Sequence, residues 1–173
     1  GVNVSDFEES LNFYQRIGYT EIEMLPEQGS LPEAEAYGLN HAFAIRGADI
    51  SLANGDGNTL RLVQWLEPFN PEPPYPPPIS HIGIHRIALA VANLDSAVAS
   101  FINEGVEFLS EIAPCCSGTG LDETGIINAI DPDGIFVELI GPIAQKPPQP
   151  TLAVCAADEG QASNPALFRF AVP

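Results

Sequence analysis

Two stretches of this chain repeat one another 87 residues apart, the run from Val4-Ser5-Asp6-Phe7 to Tyr19 lying on the run from Val91-Ala92-Asn93-Leu94 to Val106. Each begins as a strand ending in Val and continues with Asp6 or Asn93, whose side chain suits a helix N-cap. Apolar residues then recur at helical spacing: Phe7, Leu11, Tyr14 and Ile17 in one, Leu94, Val98, Phe101 and Ile102 in the other. Each helix stops at a glycine, Gly18 or Gly105, where a left-handed C-terminal residue is wanted. Two unrelated amphipathic helices would not share cap, stop and following hairpin in the same order. The chain is therefore read as one unit used twice.

Strand candidates follow each helix. In the first half they are Thr20–Met24, Ala42–Arg46, Ala48–Ala53 and Leu60–Leu66; in the second, Glu107–Ile112, Gly125–Ile130 and Ile135–Ile140. Turn residues separate the last pair of each half, Asn54-Gly55-Asp56-Gly57-Asn58 and Asp131-Pro132-Asp133-Gly134. The pattern predicts an α+β fold of two tandem βαβββ modules. The first occupies residues 1–68, with its first strand cut at Gly1, and the second occupies 81–142. Seven prolines between Pro68 and Pro78 mark residues 69–80 as a semi-rigid linker. Residues 143–173 read as a peripheral tail, with Leu167–Val172 as a possible edge strand.

Charge narrows the partners. Six Lys+Arg against 23 Asp+Glu give a net charge of −17, which would repel a phosphate backbone or an anionic membrane. No apolar run reaches the roughly 18 residues that a membrane-spanning helix needs. Three cysteines, two of them adjacent, make no disulfide framework and favour a reducing, cytoplasmic setting. No nucleic acid and no membrane are expected as partners.

The paired modules, the text Gly83-Ile84-His85-Arg86-Ile87-Ala88-Leu89-Ala90-Val91, and the closing Asp131-Pro132-Asp133-Gly134-Ile135-Phe136-Val137-Glu138-Leu139-Ile140 resemble the vicinal oxygen chelate superfamily. That group holds glyoxalase I, bleomycin- and fosfomycin-resistance proteins, extradiol dioxygenases and methylmalonyl-CoA epimerases. The resemblance covers about residues 2–142 and implies that the modules form a half-open mixed β-barrel or sheet with helices outside. It implies a cavity between the modules for a small-molecule ligand, and a homodimer. For the reaction it implies little, because one fold hosts many chemistries.

In metal-dependent members, a His or Gln on the first strand of each module and a Glu on the last face a shared cavity. The metal chelates two neighbouring substrate oxygens as a Lewis acid, or activates oxygen. Carried over one position at a time, Glu138 falls at the carboxylate position. Arg86 stands where the His usually does, with His85 one residue earlier and so on the opposite strand face. Arg61 takes the carboxylate position of the first module, and a register slide of three would put Gln64 there instead. The fourth position falls ahead of Gly1.

A guanidinium has no lone pair for a cation, so no cofactor is expected on this register. Three readings stay open. Arg61 and Arg86 could bind a small anionic, oxygenated metabolite, with Glu138 as catalytic acid or base. They could instead form a buried Arg–Glu–Arg bridge. Or His85, Gln64 and Glu138 could hold Zn, Ni, Mn or Fe in a lyase, isomerase or dioxygenase. A binding protein that sequesters a drug, like the resistance members, is the alternative to an enzyme. Trp65 and Phe136 are candidate cavity walls for the substrate, as is Phe43. Cys115 sits on a small-residue loop expected near the cavity, with no His beside it to activate the thiol.

Overall fold

The computed structural model describes residues 1–53, 59–69, 86–116, 118 and 123–143. The elements run β1 (Val2–Asn3), α1 (Phe7–Arg16), β2 (Glu21–Met24), α2 (Leu31–Ala36), β3 (Ala44–Ser51) and β4 (Leu60–Glu67). They continue with β5 (Arg86–Ala90), α3 (Leu94–Asn103), β6 (Ala113–Cys115), β7 (Thr124–Ile130) and β8 (Phe136–Pro142). The turn over 54–58, most of the proline run, His81, His85 and the tail beyond Ile143 lie outside the described residues. So do Ser117, Thr119 and Gly120.

The two helix units match atom for atom at their ends. Asp6 Oδ1 accepts from the Glu9 N–H at 3.0 Å, and Asn93 Oδ1 accepts from the Ser96 N–H at 2.8 Å. At the other end Gly18 (φ +103°) and Gly105 (φ +82°) adopt the left-handed conformation. The next N–H then reaches back over the turn, Tyr19 to the Tyr14 carbonyl at 3.1 Å and Val106 to that of Phe101 at 2.9 Å. The expected caps and stops are all present.

Each module builds one four-stranded mixed sheet, ordered β1-β4-β3-β2 and β5-β8-β7-β6, with the first strand parallel to the last. Helices lie outside and no barrel closes. The registers coincide: Val2 pairs Leu62 in one sheet and Leu89 pairs Leu139 in the other. Leu62 and Leu139 are fully buried on the helix side of their sheets, so by strand alternation Arg61 and Glu138 take equivalent places on the opposite, concave side.

Three details depart from the expected elements. The two strands expected over Ala42–Arg46 and Ala48–Ala53 are one strand, β3, with a register irregularity at Ala44/Ile45. Residues 31–36 form a short helix, α2, capped by a Ser30/Glu33 box. The strand expected over Glu107–Ile112 is reduced to a Phe108–Ala129 bridge and the three residues of β6. Pro114 fits there because β6 is a sheet edge, where a missing N–H breaks no ladder bond.

The modules share a core. Tyr14, Tyr19 and Phe7 pack in one cluster with Ala48, Ile50 and Leu62 of the first sheet and Ala129 and Val137 of the second. The Asp131–Gly134 turn fastens the contact: Tyr14 Oη donates to Asp131 Oδ2 at 2.9 Å, while Ser10 Oγ and the Ser5 N–H donate to Asp133. Burial pushes the Tyr14 hydroxyl pKa well up, and Asp131 reinforces it, so the phenol stays a donor. Asp131 is itself held above the ordinary carboxylate range by burial, against three hydrogen bonds that favour its charge.

Candidate functional site

Strand β4 sorts its side chains by parity. Arg61, Val63 and Trp65 face the concave side opposite Asp49, Gly47 and Ile45 of β3, their register partners. Leu62 and Gln64 face the helix side. A cavity of about 310 Å³ opens on this concave face, within the first module. Its floor is Val63 and Ile45, its ends are Arg61 and Asn3, and its far wall comes from the β2–β3 connection that carries α2. Phe43 and Tyr37 from that connection pack against Trp65. Gly29 makes the close approach possible, because a Cβ there would run into the Phe43 ring.

Arg61 is already matched. Its Nε and Nη2 donate to the two carboxylate oxygens of Asp49 at 2.7 and 2.6 Å, a bidentate fork. The guanidinium holds Asp49 below its usual pKa, and Asp49 in turn raises that of Arg61. Trp65 Nε1 donates to Asn3 Oδ1 at 3.1 Å, which fixes the indole plane across β1 and β4.

Arg86 and Glu138 form the ion pair of the second module, between its first strand β5 and last strand β8 rather than between its last two strands. Glu138 lies on the concave face of β8, between Ala88 of β5 and Asn128 of β7. Its side chain is only 6% exposed, and Arg86 Nη1 donates to Oε2 at 2.7 Å from a side chain 47% exposed. Phe136 pairs with Arg86 across the two strands and shares that face. Cys115 stands near enough for Glu138 to influence its thiol, which burial and the Cys116 neighbour push up to about 11. At neutral pH it is therefore a protonated thiol and a weak nucleophile.

The structure thus distributes the expected site residues over two faces. Arg61 and Trp65 share the first-module cavity; Arg86, Glu138, Phe136 and Cys115 gather on the second sheet. The cavity described here lies within a module rather than between the two. Arg61 and Arg86 do not share a carboxylate, because each has an acid on its own sheet, and so no Arg–Glu–Arg bridge forms.

The metal that the resemblance implies can be tested against these donors. Gln64 is turned away from the cavity, with Oε1 accepting from the Phe7 N–H at 3.3 Å and Nε2 donating to the Ser5 carbonyl at 2.9 Å. Arg61 and Arg86 offer no lone pair, and Glu138 faces a guanidinium. His85 lies outside the described residues. Among the described residues no three His, Cys, Asp or Glu side chains converge as a metal site. Among the described residues, these donors do not fit a divalent cation.

Sequence reasoning passed over Asp49, Glu33 and Tyr37. A signal existed for Glu33: Ser30-Leu31-Pro32-Glu33 is a capping box with proline in the first helical turn. Asp49 becomes a partner only through the β3–β4 register, which no local pattern states.

The Glyoxalase/Bleomycin resistance protein/Dioxygenase superfamily model matches residues 1–139. Among solved structures, a glyoxalase family protein from Bacillus cereus is 16% identical, with a TM-score of 0.63 over 82% of this chain and 90% of that one. A glyoxylase/bleomycin resistance protein/dioxygenase domain from Frankia sp. EAN1pec is 14% identical, TM-score 0.52, covering 82% of this chain and 91% of that one. A glyoxalase family protein from Enterococcus faecalis is 20% identical, TM-score 0.51, covering 80% and 90%. At such identities the likeness is one of fold. No curated protein matches the chain. Among the described residues no helix is long and apolar enough to cross a membrane.

Proposed function

Because the chain belongs to the Glyoxalase/Bleomycin resistance protein/Dioxygenase superfamily, we propose that it binds a small oxygenated organic molecule in the concave cavity of its first module, without a metal at the Arg61 and Arg86 positions. The modules are taken as residues 1–68 and 81–142, joined by the 69–80 linker. The observation that carries this reading is the cavity of about 310 Å³ walled by aromatic and aliphatic side chains, with a few polar groups at its ends. That is the composition of small-molecule sites, where apolar walls supply affinity and sparse polar groups set orientation. Arg61 has N–H groups beyond the two engaged by Asp49 and can donate to a ligand oxygen.

A catalytic reading attaches to the second module. Glu138 is a buried carboxylate on the concave face, next to a half-exposed guanidinium, which is an arrangement suited to moving a proton on a bound ligand. A homodimer is proposed alongside, on family resemblance.

Trp65 is the chain's single tryptophan, so cavity binding reads out in its emission. We expect ligands found by thermal-shift screening to perturb that emission, to bind equally well after exhaustive chelation, and to be lost in Val63→Phe, which fills the cavity. A ligand that needs an added divalent metal would show the metal-free reading to be wrong.

A further inference from the structure

The cavity's wall is a corner of three rings. Tyr37 and Trp65 stand at 90° with centroids 6.0 Å apart, Tyr37 and Phe43 at 78° and 5.7 Å, and Phe43 and Trp65 at 52° and 5.3 Å. Phe43 is buried while Tyr37 is largely exposed, so the corner closes inside and opens at its rim. Steeply inclined rings around one space suit a cation, which is attracted by ring quadrupoles from several sides within roughly 6 Å of a centroid.

The charges point the same way. Arg61 is the cationic side chain among the lining residues, and Asp49 neutralises it through the bidentate fork. Glu23 of β2 is the register partner of Asp49 and also acts on Arg61 electrostatically. Glu33 lines the cavity as a further carboxylate, kept below its usual pKa by the Ser30 hydroxyl and N–H. Asp49 and Glu23 act on the one guanidinium and Glu33 lines the cavity, so carboxylates outnumber the single cationic side chain and the field there favours a cation over an anion. The chain's net charge of −17 adds long-range attraction for cations.

We infer that the first-module cavity takes a compact organic cation, a quaternary or substituted ammonium group seated against Trp65, Tyr37 and Phe43 with Glu33 as its counter-charge. This rests on the proposal that the cavity is a ligand site, and it names the ligand class.

The test compares choline, its neutral isostere with carbon in place of the ammonium nitrogen, and benzoate, by calorimetry and Trp65 emission at low and moderate salt. The expected result is choline binding about tenfold more tightly than the isostere and more tightly than benzoate, with the preference lost in Tyr37→Leu. Glu33→Gln keeps a capping-box acceptor for Ser30, so it should weaken choline and leave the isostere unchanged. Equal binding of choline and isostere, or tighter benzoate, overturns the cation inference while leaving the cavity as a ligand site. No binding by any probe, together with no hit in the thermal-shift screen, overturns both.

Discussion

The two modules share one strand order and one pair of helix caps but carry opposite charges at the same place. Both place a buried leucine, Leu62 or Leu139, on the helix side of the last strand, and both pair it with the first strand in parallel. One position earlier the first module carries Arg61 and the second Glu138, each in an ion pair on the concave face. The surroundings differ. Glu138 is buried at the centre of a short-looped sheet, whereas Arg61 sits beside a connection long enough to hold α2 and to wall a cavity. Fold repetition thus fixes where a functional side chain points, while the unrepeated loop decides what it meets.

If the modules are equivalent supports, truncating their matched leucines should cost alike. Leu62→Ala and Leu139→Ala are each expected to lose about 3 kcal/mol in urea denaturation, the usual range for a fully buried leucine. A gap much wider than about 1 kcal/mol would mean that one sheet carries more of the shared core.

The ion pairs should part company. Arg86→Ala strands a carboxylate that is 6% exposed, and is expected to cost about 3 kcal/mol. Replacing both partners, Arg86→Met with Glu138→Leu, should restore most of it, since no buried charge is then left unpaired.

Contact between modules comes next. Tyr14→Phe removes the donor to Asp131 Oδ2 and should cost about 1–2 kcal/mol by leaving a buried oxygen unpaired. Asp131 also sets a pH dependence. Its folded pKa lies above the unfolded value of about 4, so the folded state binds more protons in that window. Stability relative to Asp131→Asn should therefore fall as pH rises from about 4 to the raised folded value, then level off. A rise over that range would contradict the assignment.

Arg61→Ala should be the mildest change, below about 1 kcal/mol, because Asp49 is 23% exposed against 6% for Glu138 and water can take it over. Asp49 has a lowered folded pKa, so the pair's contribution is present above about pH 4 and is lost as pH falls through the lowered value. A loss as large as that of Arg86→Ala would make the two sites energetically alike after all.

Much of this was legible because it is local. Asp6 and Asn93 cap helices through a hydrogen bond three residues on, and Gly18 and Gly105 end them through their own φ. The equivalence of Arg61 and Glu138 was implied by the family resemblance, whose last-strand ligand position stands just before a leucine in both modules. Gln64 shows the limit of that reasoning: a register slide would have put it in the cavity, whereas the β3–β4 pairing turns it to the helix side, where it bonds Phe7 and Ser5. The two arginines could be seen as cavity-facing before their acids could be assigned.

What the amino-acid order specified alone was periodicity: which residues cap, stop, alternate and repeat, and hence two βαβββ units; only the family resemblance added that arginine stands where a metal ligand is usual. Folding in three dimensions supplied the partners. Asp49 meets Arg61 through sheet register, Tyr37 and Phe43 meet Trp65 across a loop, and Tyr14 meets Asp131 at a separation of 117 residues. Charge and shape at a site are sums over such distant neighbours, so the sign of the cavity's field emerged only once the strands were paired.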